Sequence, residues 1–202
     1  MADIQHKDVP ESHMHDVKGA TVSTEGQILK STGGASAWVD APNIGPIDYN
    51  DSTTNITPIP LTANTWTDVP NNASGAFTNL TYAPVGITSL LDTTTGYLDF
   101  SQLELGDSIE IRIDFKVTPN INNAGLECRY VLGGGAGEYA LSVFEKRLDK
   151  GSGVAYDSDK GSFLIYMGDT NTRDNPGKLQ IKLSSSGSLT NAGIAILVVG
   201  KI

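Results

Sequence analysis

Histidine is scarce, and its placement excludes most acid–base catalysis. The chain of 202 residues has three histidines, and none follows His15. Cysteine is rarer still. The single Cys128 excludes an intrachain disulfide. It lies between Leu126 and Tyr130 in an alternating run, where a reduced thiol packs as a small hydrophobe. Positive charge is in deficit, with 14 Lys and Arg against 23 Asp and Glu and a net charge of −9. That balance argues against a nucleic-acid partner, whose phosphates are neutralised by basic side chains. No apolar run reaches the ~18 residues that a membrane span requires. The N-terminal stretch lacks the apolar centre of a secretory signal, so synthesis in a cytoplasm is expected. Long runs of Ala, Leu, Glu and Lys are missing too, so helix is not the main content.

What is present is alternation. Over residues 108–117, Ile109, Ile111, Ile113, Phe115 and Val117 alternate without a break with Glu110, Arg112, Asp114 and Lys116. A period of two places the apolar set on one face of a strand and the charges on the other. β-Branched isoleucine suits that pleated surface. Leu126, Cys128, Tyr130 and Leu132 repeat the pattern, as do Tyr139, Leu141 and Val143, then Phe163, Ile165 and Met167, then Leu179, Ile181 and Leu183. Shorter strands are expected around Thr65–Thr67, across 76–82 and across 96–105, with an edge strand at best over 56–61, where Pro58 and Pro60 intervene. Residues 133–137 and 184–188 read as turns, and 169–177 as a polar loop. No helical segment of a dozen residues separates the strands, which disfavours parallel crossovers. An all-β antiparallel sandwich is expected, and a jelly roll of about eight strands fits.

The last strand departs from the alternation. Ile194, Ile196, Leu197, Val198 and Val199 are apolar on both faces. One face suits the core. The other needs cover from a neighbouring copy or from a second layer of the same chain. The first forty residues differ from the rest. Residues 1–19 are polar and aperiodic, and cannot offset the ~1–2 kcal/mol of backbone entropy per ordered residue. They are expected to gain order only on a partner. Residues 26–39 read as a hairpin around Gly33-Gly34, with Ile28, Leu29 and Trp38 needing cover. Residues 41–46 read as a stiff linker, and 47–202 as the folded domain.

No catalytic constellation emerges. Gly106-Asp107-Ser108 is similar to an esterase serine motif but has no histidine to deprotonate Ser108. The glycines of 133–137 lack the Lys-Ser/Thr of a phosphate loop. Asp157-Ser158-Asp159 lacks the full calcium series. His13 and His15 have no further metal ligands nearby. No two carboxylates can be paired for glycoside hydrolysis. Non-enzymatic function without cofactor or metal is expected.

The N-terminal segment carries a resemblance. Lys7-Asp8-Val9-Pro10-Glu11-Ser12, then His15, then Lys18-Gly19, resembles the capsid-anchoring segment of bacteriophage head fibre and capsid decoration proteins, with Val17 where that family usually has proline. Gly26-Gln27-Ile28-Leu29 through Gly33-Gly34 to Trp38 is similar to the hairpin that follows such anchors. The remainder is similar to trimeric phage fibre heads of the tumour-necrosis-factor and complement-C1q type. The resemblance implies an N-terminal arm, residues 1–40, in which Lys7, Asp8, Pro10, Glu11, Ser12, His15, Lys18 and Gly19 bind the major capsid protein. It implies a homotrimer with Trp38, Ile194, Ile196 and Val198 at the interface, on the outer surface of a virion. A rival expectation is a fibre-tip module that binds a host glycan through the loops at 119–125 and 169–177. Neither expectation involves nucleic acid or membrane.

Overall fold

The structure, a computed structural model, describes residues 27–32, 35–40, 43–54, 56–158 and 162–201. The chain divides after residue 42 into two compact units. The first contains an antiparallel hairpin of β1 (Gln27–Thr32) and β2 (Ala35–Asp40), in register from Gln27 opposite Asp40 to Thr32 opposite Ala35. Trp38 stands opposite Leu29 and is half-buried. The anchor residues Lys7, Asp8, Pro10, Glu11, Ser12, His15, Lys18 and Gly19 lie outside the described residues.

The second unit is a sandwich of two antiparallel sheets with a separate two-stranded ribbon, Leu91–Asp92 paired with Tyr97–Leu98. Its strands are β3 (Ile44–Asn50), β4 (Ile59–Leu61), β5 (Trp66–Asp68), β6 (Leu91–Asp92), β7 (Tyr97–Leu98), β8 (Ser108–Pro119), β9 (Ala124–Leu132), β10 (Tyr139–Leu148), β11 (Tyr156–Asp157), β12 (Ser162–Tyr166), β13 (Lys178–Leu183) and β14 (Gly187–Val199). A short helix, α1 (Thr170–Arg173), precedes β13. One sheet runs β12–β8–β14–β3, with β11 continuing alongside β8 and β4 alongside β14. The other runs β10–β9–β13–β5. The consecutive pairs β8 and β9, β12 and β13, and β13 and β14 each divide between the two sheets. That alternation is the Greek-key crossover pattern of a jelly roll.

Burial follows the period of two. Ile109, Ile111, Ile113, Phe115 and Val117 of β8 are each 2% exposed or less, while Glu110, Arg112 and Lys116 are exposed. Leu126, Cys128, Tyr130 and Leu132 of β9 meet them from the opposite sheet, with Leu179, Ile181 and Leu183 of β13. Tyr130 lies 4.9 Å, centroid to centroid, from the Phe163 ring. Burial pushes the Cys128 thiol and the Tyr130 phenol up, so both stay neutral.

Several expectations are corrected. Ile194, Ile196 and Val198 are buried in the chain's own core, so they are not the interface residues of a trimer. The outward residues of β14 are Ala195, Leu197 and Val199. The linker reading fails from Ile44 onward, because Ile44, Gly45 and Pro46 pair with Val199, Val198 and Leu197. The 76–82 segment forms no strand. Only Asn79 pairs with Asp48, by two backbone bonds of 2.9 and 3.0 Å. This loop runs along the free edge of β3 so closely that a side chain at Gly45 would meet the Tyr82 carbonyl. Covering an edge in this way blocks stray strand pairing. Within 96–105 only Tyr97–Leu98 is strand. The 169–177 loop holds α1, capped by Asp169, which accepts from Thr172 N at 2.7 Å. The final strand begins earlier than its apolar run. A bulge at Ala192 interrupts its register, with Asn191 opposite Phe115 and Gly193 opposite Asp114.

Ile111→Ala is expected to cost about 2–5 kcal/mol, because it opens a cavity in a closed core. Glu110→Gln, on the other face of the same strand, should change stability by less than about 0.5 kcal/mol. Denaturant unfolding of the full chain checks both.

Candidate functional site

The outer face of the β12–β8–β14–β3 sheet is the surface that sequence periodicity leaves without a partner. Strand register places its side chains in rows. The first row is Tyr166, Ser108, Val199 and Ile44. The second is Leu164, Glu110, Leu197 and Pro46. The third is Ser162, Arg112, Ala195 and Asp48, and the fourth, beside the bulge, is Asp114, Gly193 and Asn50. The face is therefore graded. Its first two rows, at the end of the sandwich where β3 begins, are mainly apolar. Leu164 is 64% exposed, Tyr166 59%, Ile44 54% and Leu197 37%.

Its other half is charged. Arg112 donates from Nε and Nη2 to Asp114 Oδ2, both at 3.1 Å. Lys116 stands 3.8 Å from Asp157. Ser158, next in the chain, donates to Ile113 O at 3.0 Å and accepts from Phe115 N at 3.1 Å, extending the β8 edge with a side chain. A groove of about 580 Å³ runs through this half. Phe77, Asp48 and Asn50 line one side, Lys116 and Asp157 the other, with Ala192, Gly193 and Ala195 between them.

The outer face of the opposite sheet is closed by its own contacts. The Arg129 guanidinium lies 3.9 Å from the Trp66 ring centroid, and Lys182 Nζ lies 4.8 Å from it. Lys182 also pairs with Glu127 at 2.7 Å. Arg129 donates to Gln180, Gln180 to Asp68, and the Tyr97 hydroxyl to Asp68 at 2.6 Å. The bond to the Asp68 carboxylate, with some burial, pushes the Tyr97 phenol up to about 12.

The sequence motifs resolve into structural roles. Asp107 caps the turn into β8, accepting from Glu104 N at 2.8 Å and Lys201 N at 2.9 Å. Ser108 is a half-buried member of the first row. The glycine turn at 133–137 is pinned by Asn171, which accepts from Gly134 N at 3.2 Å and donates to Gly137 O at 2.9 Å. Asp159 lies outside the described residues. Among the described residues no group of three His, Cys, Asp or Glu is placed to hold a metal. The loops at 119–125 and 169–177 do not share a site. The first is tied to the Ser186 turn, where β8 ends, through Asn120 N and Ser186 O at 3.0 Å. The second follows Met167, which bonds Gly106 and Asp107 where β8 begins. Sequence reasoning missed Leu164 and Tyr166. The signal was there, since Phe163 to Met167 is apolar at every position, as the last strand is. Asp48 and Phe77 carried no signal, because only folding brings them together.

No family model matches the chain, and no curated protein matches it in sequence. Solved structures give distant likenesses. The infectious bursal disease virus particle protein is 11% identical with a TM-score of 0.39, over 86% of this chain and 35% of that one. The chain thus spans about a third of that protein's length. Eiger TNF from S. frugiperda is 9% identical with a TM-score of 0.40, over 79% of this chain and 94% of that one. The PRD1 vertex protein P5 is 18% identical with a TM-score of 0.34, over 79% of this chain and 96% of that one. The jelly roll stands on the chain's own strand pairing.

The Tyr97 bond sets an alkaline dependence. An unfolded tyrosine ionises near pH ~10, whereas the folded phenol holds its proton to about 12. The bond's contribution is complete below the unfolded pKa and is lost as pH rises through the folded one. Denaturation midpoints taken from pH 9 to 12 should therefore fall less steeply for Tyr97→Phe than for the parent chain.

Proposed function

We propose that this chain is a structural virion protein that decorates or cements a bacteriophage capsid, with a trimeric head projecting outward from an N-terminal arm. The sequence of residues 7–19 carries the attachment. In that reading Lys7, Asp8, Pro10, Glu11, Ser12, His15, Lys18 and Gly19 contact the major capsid protein. A polar, aperiodic segment gains its order on a preformed shell, where the ordering entropy is offset by new contacts. The head's charged groups support a non-catalytic role. Arg112 is ion-paired with Asp114 along β8, and Lys116 with Asp157 and Lys182 with Glu127 are ion-paired across strands. The acidic balance of the chain disfavours contact with packaged DNA.

The apolar rows of the sheet face support the trimer. Leu164 and Tyr166 on one side, and Leu197, Val199 and Ile44 on the other, form an apolar strip on one face of the head, divided by Ser108 and Glu110 of β8. Interface cores are more apolar than ordinary surface. A contact between unlike edges of this strip, repeated about a three-fold axis, closes a ring. Val199 and Leu197 thereby take the place first expected of Ile194, Ile196 and Val198, one residue out of phase on the same strand.

Co-sedimentation with capsids lacking the protein tests the arm. The full chain should pellet with them, and a chain without residues 1–19 should bind at least tenfold more weakly. Equal binding by the shortened chain would sink the anchor. Light scattering tests the head. The parent chain should have the mass of three copies at micromolar concentration, and Leu197→Asp should shift it toward one copy, because the new carboxylate must be desolvated in the contact.

A further inference from the structure

The groove on the charged half of the sheet face lies beyond the apolar rows, and neither the arm nor the trimer uses it. Its floor is a consequence of the β14 bulge. Gly193 has φ +148°, and a Cβ there would meet the Tyr49 carbonyl at 2.5 Å. Ala192 and Ala195 flank it, so the floor is shallow backbone with methyl groups. Phe77 rises at one side with 78% of its surface exposed. Its loop is held in place by Thr78, whose Oγ1 accepts from Asn50 N at 2.9 Å.

The polar groups around this floor differ in what they have left to offer. Asp114 lines the groove and receives both Arg112 bonds on Oδ2. Asp48 faces the groove with its carboxylate in no hydrogen bond or ion pair among the described residues. Asn50 donates its amide to Ala192 O at 2.7 Å, and its side-chain oxygen lies against Gly75, so it is committed to the framework of the groove. Arg112 and Lys116 supply donors. Three aspartates against two cations disfavour a phosphate or other anion. One exposed aromatic ring, with Tyr49 and Phe115 buried beneath, is too little for a lipid chain. A polyhydroxylated ring matches the set: its hydroxyls donate to carboxylates and accept from guanidinium and ammonium groups, and its C–H face lies on an aromatic ring.

We propose that this groove binds a neutral hexose unit of a saccharide, seated against Phe77 over Gly193 and Ala195, with its hydroxyls held by Asp48, Asp114 and Arg112. The volume of about 580 Å³ accommodates one or two sugar rings. The site stands apart from the proposed capsid attachment, which involves different residues.

Saturation-transfer NMR on the full chain, with the methyl glycosides of glucose, galactose, mannose and N-acetylglucosamine at millimolar concentration, tests it. At least one glycoside should bind, and Phe77→Ala and Asp48→Asn should each weaken that binding at least tenfold. Both side chains are exposed, so the unfolding midpoint should not move. No binding by any of the four, or undiminished binding by either variant, would overturn the proposal. Capsid co-sedimentation of Asp48→Asn should equal that of the parent chain, which separates failure of this site from failure of the anchor.

Discussion

The antiparallel ladder between β8 and β14 is the interaction on which the rest depends. These are the two longest strands, and every other strand of their sheet pairs with one of them. From β8 the core receives Ile109, Ile111, Ile113, Phe115 and Val117, and from β14 it receives Leu189, Ile194, Ile196 and Val198. Burial of a large apolar side chain contributes about 1.5–3 kcal/mol, so this pair alone anchors one layer of the sandwich. The β9 and β13 strands answer from the other layer. A one-residue slip of either central strand would turn its whole apolar set outward.

The bulge in β14 is what lets one strand serve two patterns. Before it, Leu189 and Asn191 point inward; after it, Ile194, Ile196 and Val198 do. The extra residue Ala192 resets the phase. Asn191 is fully buried there, and its polar groups are satisfied: its amide N–H donates to Thr54 Oγ1 at 2.8 Å and its side chain to Pro70 O at 3.1 Å. Thr54 in turn donates to the buried Asp51 carboxylate. This knot fastens the loop after β3 to the bulge. The same bulge shapes the groove floor, so a device that corrects register also creates a concavity on the opposite face.

Much of this was legible. The β8 alternation predicted its buried face residue by residue, and the runs of β9, β12 and β13 placed those strands within a residue or two. The motifs around Ser108, Asp157 and the 133–137 glycines were read without chemistry because no complementary group stood near them in the chain. The failures share a physical origin. Residues 76–82 looked like a strand by composition, but their neighbour is the edge of β3, and only tertiary packing decided that they cover it as a loop. The final apolar run had two faces, and periodicity offered no means to tell which met the core.

The sequence by itself therefore determined the fold class and the inward residues of most strands. These follow from short-range patterns, since a strand's faces depend only on whether a position is odd or even. The tertiary structure decided the rest. It chose the inner face of β14 through a one-residue bulge, separated the 119–125 and 169–177 loops to opposite ends, and graded the β12–β8–β14–β3 face from apolar to charged. Those outcomes depend on which strands lie side by side, and Asp48, Phe77, Arg112 and Gly193 meet only because four distant segments share one sheet surface.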